Sequence, residues 1–146
     1  MRLRPATAED AAALADLWFE SWASNGFDGH PDTREMMIER VPRELAGRWD
    51  VTIAEADGRM LGFLALAPTE QRLDQVFVAS EAQGQGVGTA LFAVAVQRLG
   101  AGFWLTTQQE NLRARAFYER RGMTLERFEE DRVYYRLAAR SGDFSG

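Results

Sequence analysis

Residues 73–88 read Leu-Asp-Gln-Val-Phe-Val-Ala-Ser-Glu-Ala-Gln-Gly-Gln-Gly-Val-Gly. A β-prone run enters a turn with glycine at 84, 86 and 88, and an amphipathic helical pattern leaves it. Glycine tolerates positive φ and, lacking Cβ, lets neighbouring N–H groups converge. A helix start adds four N–H groups without intrahelical partners and the positive end of the helix dipole. The same spacing fits a flexible turn ahead of an ordinary helix. The strand before and the helix after favour an anion cradle suited to phosphate around Gly84, Gly86 and Gly88.

Two familiar phosphate loops do not fit. A dinucleotide fingerprint needs Gly-x-Gly-x-x-Gly, and here the last step is one residue short. A P-loop needs a lysine, and all 17 basic residues of the chain are arginine. Downstream, residues 111–123 read Asn-Leu-Arg-Ala-Arg-Ala-Phe-Tyr-Glu-Arg-Arg-Gly-Met. Ala114, Phe117 and Tyr118 share one side of a helix there, and core packing alone accounts for the first two. A buried Tyr118 hydroxyl needs a polar partner.

The composition excludes more chemistry than it admits. With no cysteine there is no thiol nucleophile, disulfide or thiolate metal site. A single histidine, His30, cannot build a multi-histidine metal centre, so no metal is expected. The absence of lysine removes Schiff-base chemistry. Twenty-two acidic against 17 basic residues give a net charge of −5, which argues against nucleic acid as a partner. No apolar run approaches ~18 residues, and the start, Met-Arg-Leu-Arg-Pro, lacks the apolar core of a secretory signal. No membrane partner and a cytoplasmic location are therefore expected. An apolar share of 46% in 146 residues suits one domain with a sizeable core. The expected division is a single domain over 1–140 and a frayed tail over 141–146.

These residues need a scaffold. A short edge strand is predicted over 2–4. A helix follows over about 7–20, with Thr7 and Asp10 as a capping box and Ala11, Leu14, Trp18 and Trp22 on its apolar face. A loop spans 24–31, and Asp32 then caps a helix in which Ile38, Val41 and Leu45 share a face and Pro42 introduces a kink or a split. Strands are predicted at 51–56 and 60–67 around an Asp57-Gly58 hairpin turn, and at 73–78. A helix at 86–99 has Val87, Leu91, Val94 and Ala95 along one side. After it come a strand at 103–107, a helix at 111–121 ended by Gly122, and two strands at 123–127 and 132–137. Three antiparallel strands followed by a βαβ unit make an α/β (α+β) fold. It should have a mixed, mostly antiparallel sheet of about seven strands with helices on both faces.

The glycine turn matches the pattern Gln/Arg-x-x-Gly-x-Gly/Ala through Gln83, Gly86 and Gly88. The downstream segment matches Asn-x-x-Ala-x-x-Phe-Tyr-x-x-x-Gly-Phe through Asn111, Ala114, Phe117, Tyr118 and Gly122, with Met123 in place of the final aromatic. The two segments, in this order and at this separation, resemble the acetyl-CoA motifs of the GNAT N-acetyltransferase superfamily. The predicted element order follows that fold across nearly the whole chain.

The resemblance implies an N-acetyltransferase that takes acetyl-CoA as co-substrate and moves the acetyl group directly to a primary amine. It implies that the backbone of Gln83, Gly84, Gln85, Gly86, Val87, Gly88 and Thr89 holds the pyrophosphate, and that Val76, Phe77 and Val78 pair with the pantetheine arm as another strand would. A backbone N–H there would meet the thioester oxygen. Asn111 would contact the cofactor directly or through water. Tyr118 would be the general acid toward the leaving thiolate. Arg113, Arg120 and Arg121 are either phosphate partners or solvated surface arginines. In the histone-acetylating branch a glutamate base occupies the place that Arg72 holds before Val78, so that base is missing. Asp74, with the strand parity of Arg72, Val76 and Val78, is the candidate base, or else a carboxylate paired with a nearby arginine. Glu70 and Glu55 are further options.

The acceptor is a small-molecule amine or a peptide or protein amine, and the acidic total mildly suits a cationic one. Trp18, Trp22 and Phe27 line an acceptor pocket or simply form core, and His30 carries no role. Two alternatives stay open: a non-catalytic acyl-CoA-binding sensor, and an acyltransferase using another acyl group or a hydroxyl acceptor. The family resemblance also allows a homodimer.

Overall fold

The computed structural model of the protein describes residues 1–24 and 34–138. The Trp22 side chain, Phe27, His30, Asp32 and the tail from 141 lie outside the described residues. The elements run β1 (Arg2–Pro5), α1 (Ala11–Ser24), α2 (Arg34–Ala46), β2 (Asp50–Ala56), β3 (Arg59–Ala67), β4 (Arg72–Val78), α3 (Val87–Leu99), β5 (Trp104–Gln108), α4 (Leu112–Arg120), β6 (Met123–Glu129) and β7 (Arg132–Leu137). The seven strands form one sheet in the order β1-β2-β3-β4-β5-β7-β6. All neighbours are antiparallel except β4 and β5. The α/β (α+β) architecture expected from the sequence is the one observed.

Local chemistry sets the element ends. The Asp57-Gly58 turn has φ of 52° and 74° at its two residues, which fits the tight turn between β2 and β3. The capping box at Thr7 and Asp10 forms, but it opens a short 3₁₀ turn over Ala8–Asp10 before α1 begins. In α2 Val41 is buried and Leu45 packs against the core as expected, while Ile38 is exposed and Met37 is buried in its place. Pro42 neither ends nor splits α2. Its ring is on the exposed side, where the carbonyl it leaves unpaired, that of Ile38, can meet water.

Each face of the sheet is covered. A side chain at Gly62, opposite Val78, would come within 3.3 Å of Val87 Cγ1, so α3 lies close on that face. Phe117 of α4 packs beside Gly88 and edge-on to Phe92 on the same face. On the other face Phe63 meets Phe77. Helix α1 lies against β3 and β4, and Trp18 meets Trp49, the residue just ahead of β2. The core includes Leu14, Met37, Ile53, Leu64, Leu91 and Tyr135, each fully buried.

Two irregularities shape the middle of the sheet. The β3–β4 register pairs Ala65 with Gln75 but Leu66 with Leu73, so Asp74 is the extra residue of a bulge. A bulge reverses the alternation of side chains beyond it. Asp74 therefore does not share the parity of Val76 and Val78, as simple counting along the strand suggests. It turns instead toward Trp49. Secondly, β4 and β5 pair at one position only, Arg72 with Trp104, and then diverge.

Candidate active site

The divergence of two parallel neighbours opens the middle of the sheet. Ala79 N–H donates to Leu61 O at 2.8 Å, and along an antiparallel ladder the bonding groups alternate between sides. The peptide groups of Val76 and Val78 consequently face the gap. The Val78 carbonyl accepts a bond there from Gln83 Nε2 at 3.4 Å.

A cavity of about 520 Å³ occupies the gap on the α3–α4 face. Val76, Phe77 and Val78 form one wall, and Gln83, Gly84, Gly86, Gly88 and Thr89 form the floor. Asn111, Ala114, Phe117 and Tyr118 form the opposite wall. Gly86 begins α3 with φ of 84°, a left-handed conformation that suits glycine. At Gly88 a Cβ would lie 3.0 Å from the Phe117 ring, so only glycine lets α3 and α4 approach this closely. Among the described residues, no carbonyl accepts a hydrogen bond from the N–H groups of residues 84–89. Unpaired amides at a helix start are able to hold an anion.

Gln85 and Val87 contribute backbone alone. The Gln85 side chain turns back to the Glu81 carbonyl at 3.1 Å, and Val87 is buried beneath β3. Arg113, Arg120 and Arg121 line the same cavity, and among the described residues no carboxylate does. Arg113 donates to the Gln83 side chain, and Arg121 to Thr89 Oγ1 and the Phe117 carbonyl. The Arg121 guanidinium carbon sits 3.5 Å from the centre of the Phe117 ring. Its Nε is buried without a partner, and burial, then the charge of Arg120, pulls its pKa down. None of the three arginines has an ion-pair partner among the described residues. Arg113 and Arg120 are exposed to solvent, whereas Arg121 is half-buried.

A second cavity, about 120 Å³, lies between the splayed strands. It shares Val76, Phe77, Asn111, Ala114 and Tyr118 with the first, so the two volumes meet at these residues. Tyr118 is 8% exposed, and its hydroxyl bonds to no described residue. Burial pushes the phenol pKa above the usual tyrosine range, so it stays protonated at all ordinary pH values. Asn111 caps α4, its Oδ1 accepting from the Ala114 N–H at 3.1 Å, which leaves its amide nitrogen for a ligand.

Asp74 lines the second cavity. Its Oδ2 accepts from Trp49 Nε1 at 2.6 Å and Arg48 at 2.8 Å, while Oδ1 meets only Arg72, at 3.3 Å. Glu55 pairs with Arg4 at 3.0 Å, and Glu70 with Arg48 at 3.1 Å; neither lines either of these two cavities. Arg132 and Thr106 also line the second cavity, and no motif in the sequence marks them. Their signal is the pairing of β5 with β7, which short-range patterns do not carry.

Comparison with known proteins gives a consistent result. The family model described as "Acetyltransferase (GNAT) family" matches residues 11–123. No curated protein matches the sequence. Among solved structures, the chain is similar to PaiA N-acetyltransferase from Thermoplasma acidophilum in complex with coenzyme A (TM-score 0.80, 17% identity, 94% of this chain and 98% of that one). It is similar to a GNAT-family protein from Desulfovibrio desulfuricans (TM-score 0.78, 23% identity, 94% and 98%). It is also similar to YncA from Salmonella typhimurium with its cofactor acetyl-CoA (TM-score 0.71, 14% identity, 97% and 96%).

Proposed function

The chain belongs to the acetyltransferase (GNAT) family of acyltransferases, and from that premise we propose that it moves the acetyl group of acetyl-CoA directly to a primary amine. The observation that carries this reading is the meeting of two cavities at Tyr118, one of them floored by unpaired amides.

Within this reading the amides of residues 84–89 bind the diphosphate, with Arg113, Arg120 and Arg121 as added positive charge. The peptide edge of Val76 and Val78, which no strand covers, pairs with the pantetheine arm as a strand would, displacing the long Gln83 bond to the Val78 carbonyl, and an N–H of that edge polarises the thioester carbonyl. Gln83 and Asn111 offer further polar contacts to the cofactor. Asp74 Oδ1, the less committed oxygen, draws the proton from the incoming ammonium, directly or through water. The neutral nitrogen bonds to the carbonyl carbon, the carbon–sulfur bond breaks, and Tyr118 gives its proton to the departing sulfur. The acylated nitrogen gives up its extra proton to the phenolate, and Asp74 returns its own to solvent, leaving amide, free thiol and the resting side chains.

The test is thiol release from acetyl-CoA in the presence of a broad amine panel, with isothermal titration of acetyl-CoA alongside. Amine-dependent release supports the reading. Tight binding without release on any amine supports a cofactor sensor instead. No binding at millimolar acetyl-CoA contradicts both. Running propionyl-CoA and succinyl-CoA in the same assay fixes the acyl preference.

A further inference from the structure

The smaller cavity has its own charge pattern. Three charged side chains line it: Arg72, Arg132 and Asp74. Asp74 is already engaged by Arg48, Arg72 and Trp49, and its side chain is 4% exposed. Arg132 donates from Nε to Thr106 Oγ1 at 3.0 Å and has no carboxylate within ion-pair distance among the described residues. Arg72 meets Glu70 only at 4.0 Å and lies over the Trp104 ring at 4.9 Å. Its Nε is buried and makes no hydrogen bond. The lining thus holds one carboxylate, engaged mainly through Oδ2, two guanidinium groups and under-used donors on both.

Planar guanidinium groups with free donors bind compact anions, and a buried donor without a partner is costly until it finds one. The net charge of −5 does not decide the matter, because exposed charges farther than about 8–10 Å are screened. The groups inside the cavity decide it. Resting on the acetyl-transfer reading above, we propose that the acceptor is a small amine that also carries an anionic group, held by Arg132 and Arg72 while the amine points toward Tyr118. This reverses the cationic acceptor that the overall charge suggests. A carboxylate and a phosphate ester share the required chemistry, and a volume of about 120 Å³ suits a small molecule.

The experiment compares matched acceptors that differ only in the anion. Each protein amino acid is set against its carboxamide, and O-phosphoethanolamine against ethanolamine, with kcat/KM read from thiol release. The expected result is a preference of about tenfold or more for the anionic member of at least one pair. The pair showing it separates carboxylate from phosphate. Arg132→Gln should reduce that ratio about tenfold, mainly through KM, and Arg132→Lys should retain part of it. Equal or better use of the neutral members overturns the inference. So does an unchanged ratio in Arg132→Gln, or acetyl-CoA binding with no member of any pair acetylated. Failure to bind acetyl-CoA at all brings down the acetyl-transfer reading first, a result the titration distinguishes.

Discussion

Tyr118 is buried at the junction of two cavities with a phenol that burial keeps protonated. A proton donor is needed only when the sulfur leaves. Tyr118→Phe should therefore lower kcat about 10²-fold and leave acetyl-CoA affinity within about twofold, read by thiol release and titration calorimetry. Because the phenol pKa is raised, the required protonated form persists to about pH 10, so the pH profile of kcat/KM should have no descending limb below that point. Asp74→Asn should depress kcat/KM near pH 7 by about tenfold or more, with the deficit shrinking as alkali supplies neutral amine. A deficit constant with pH means that Asp74 only positions Arg72 and Trp49. Tyr118 stands out in the sequence because its hydroxyl demands an explanation. The orientation of Asp74 does not, because a one-residue bulge depends on how β3 and β4 register and leaves no local mark.

The start of α3 is the element on which cofactor binding depends. Gly86→Ala places a Cβ at φ of 84°, a strain of about 1–2 kcal/mol, and disturbs the amides that follow. Acetyl-CoA affinity should fall about tenfold by calorimetry. Gly58→Ala, at φ of 74° in a hairpin turn away from both cavities, carries similar strain and should leave affinity unchanged.

At the other end of the fold, the Arg4 guanidinium, with help from the Thr7 amide, lowers the Asp10 pKa from 3.8 to about 2. A depressed carboxyl stabilises the fold above its unfolded pKa, and that stability is lost as pH falls from about 4 to about 2. The ceiling is about 2 kcal/mol. Asp10→Asn should cost about 1–2 kcal/mol in urea unfolding at pH 7 and almost nothing at pH 2. An equal cost at both would show that the ion pair adds nothing to stability. The capping box can be read from the sequence because it is a local pattern of side chains and amides. The choice of Met37 over Ile38 beside Val41 and Leu45 on α2 cannot, because the two are equally apolar and only packing against α1 chooses between them.

Across the whole molecule, strand order and handedness bring distant segments together. A strand, a glycine turn and a helix are visible from residues 73–99, and so is the Asn111–Tyr118 helix. The splay of β4 from β5 is invisible there, because it arises where the sheet changes from antiparallel to parallel pairing. The splay exposes a peptide edge inside the sheet without a neighbouring strand, a feature that stable sheets otherwise cover. For the same reason Arg132, on β7, reaches a cavity beside β4 by register alone.

Both the transfer chemistry and the acceptor assignment require that main-chain amides after β4 grip the diphosphate of coenzyme A. Titrating coenzyme A into the ¹⁵N-labelled protein and following the amide resonances decides whether they do. Gly84, Gln85, Gly86, Val87, Gly88 and Thr89 should show the largest saturable shifts in the chain, with Val76 and Val78 next. Saturation with those six resonances unmoved, or no saturation at millimolar coenzyme A, would refute the amide grip.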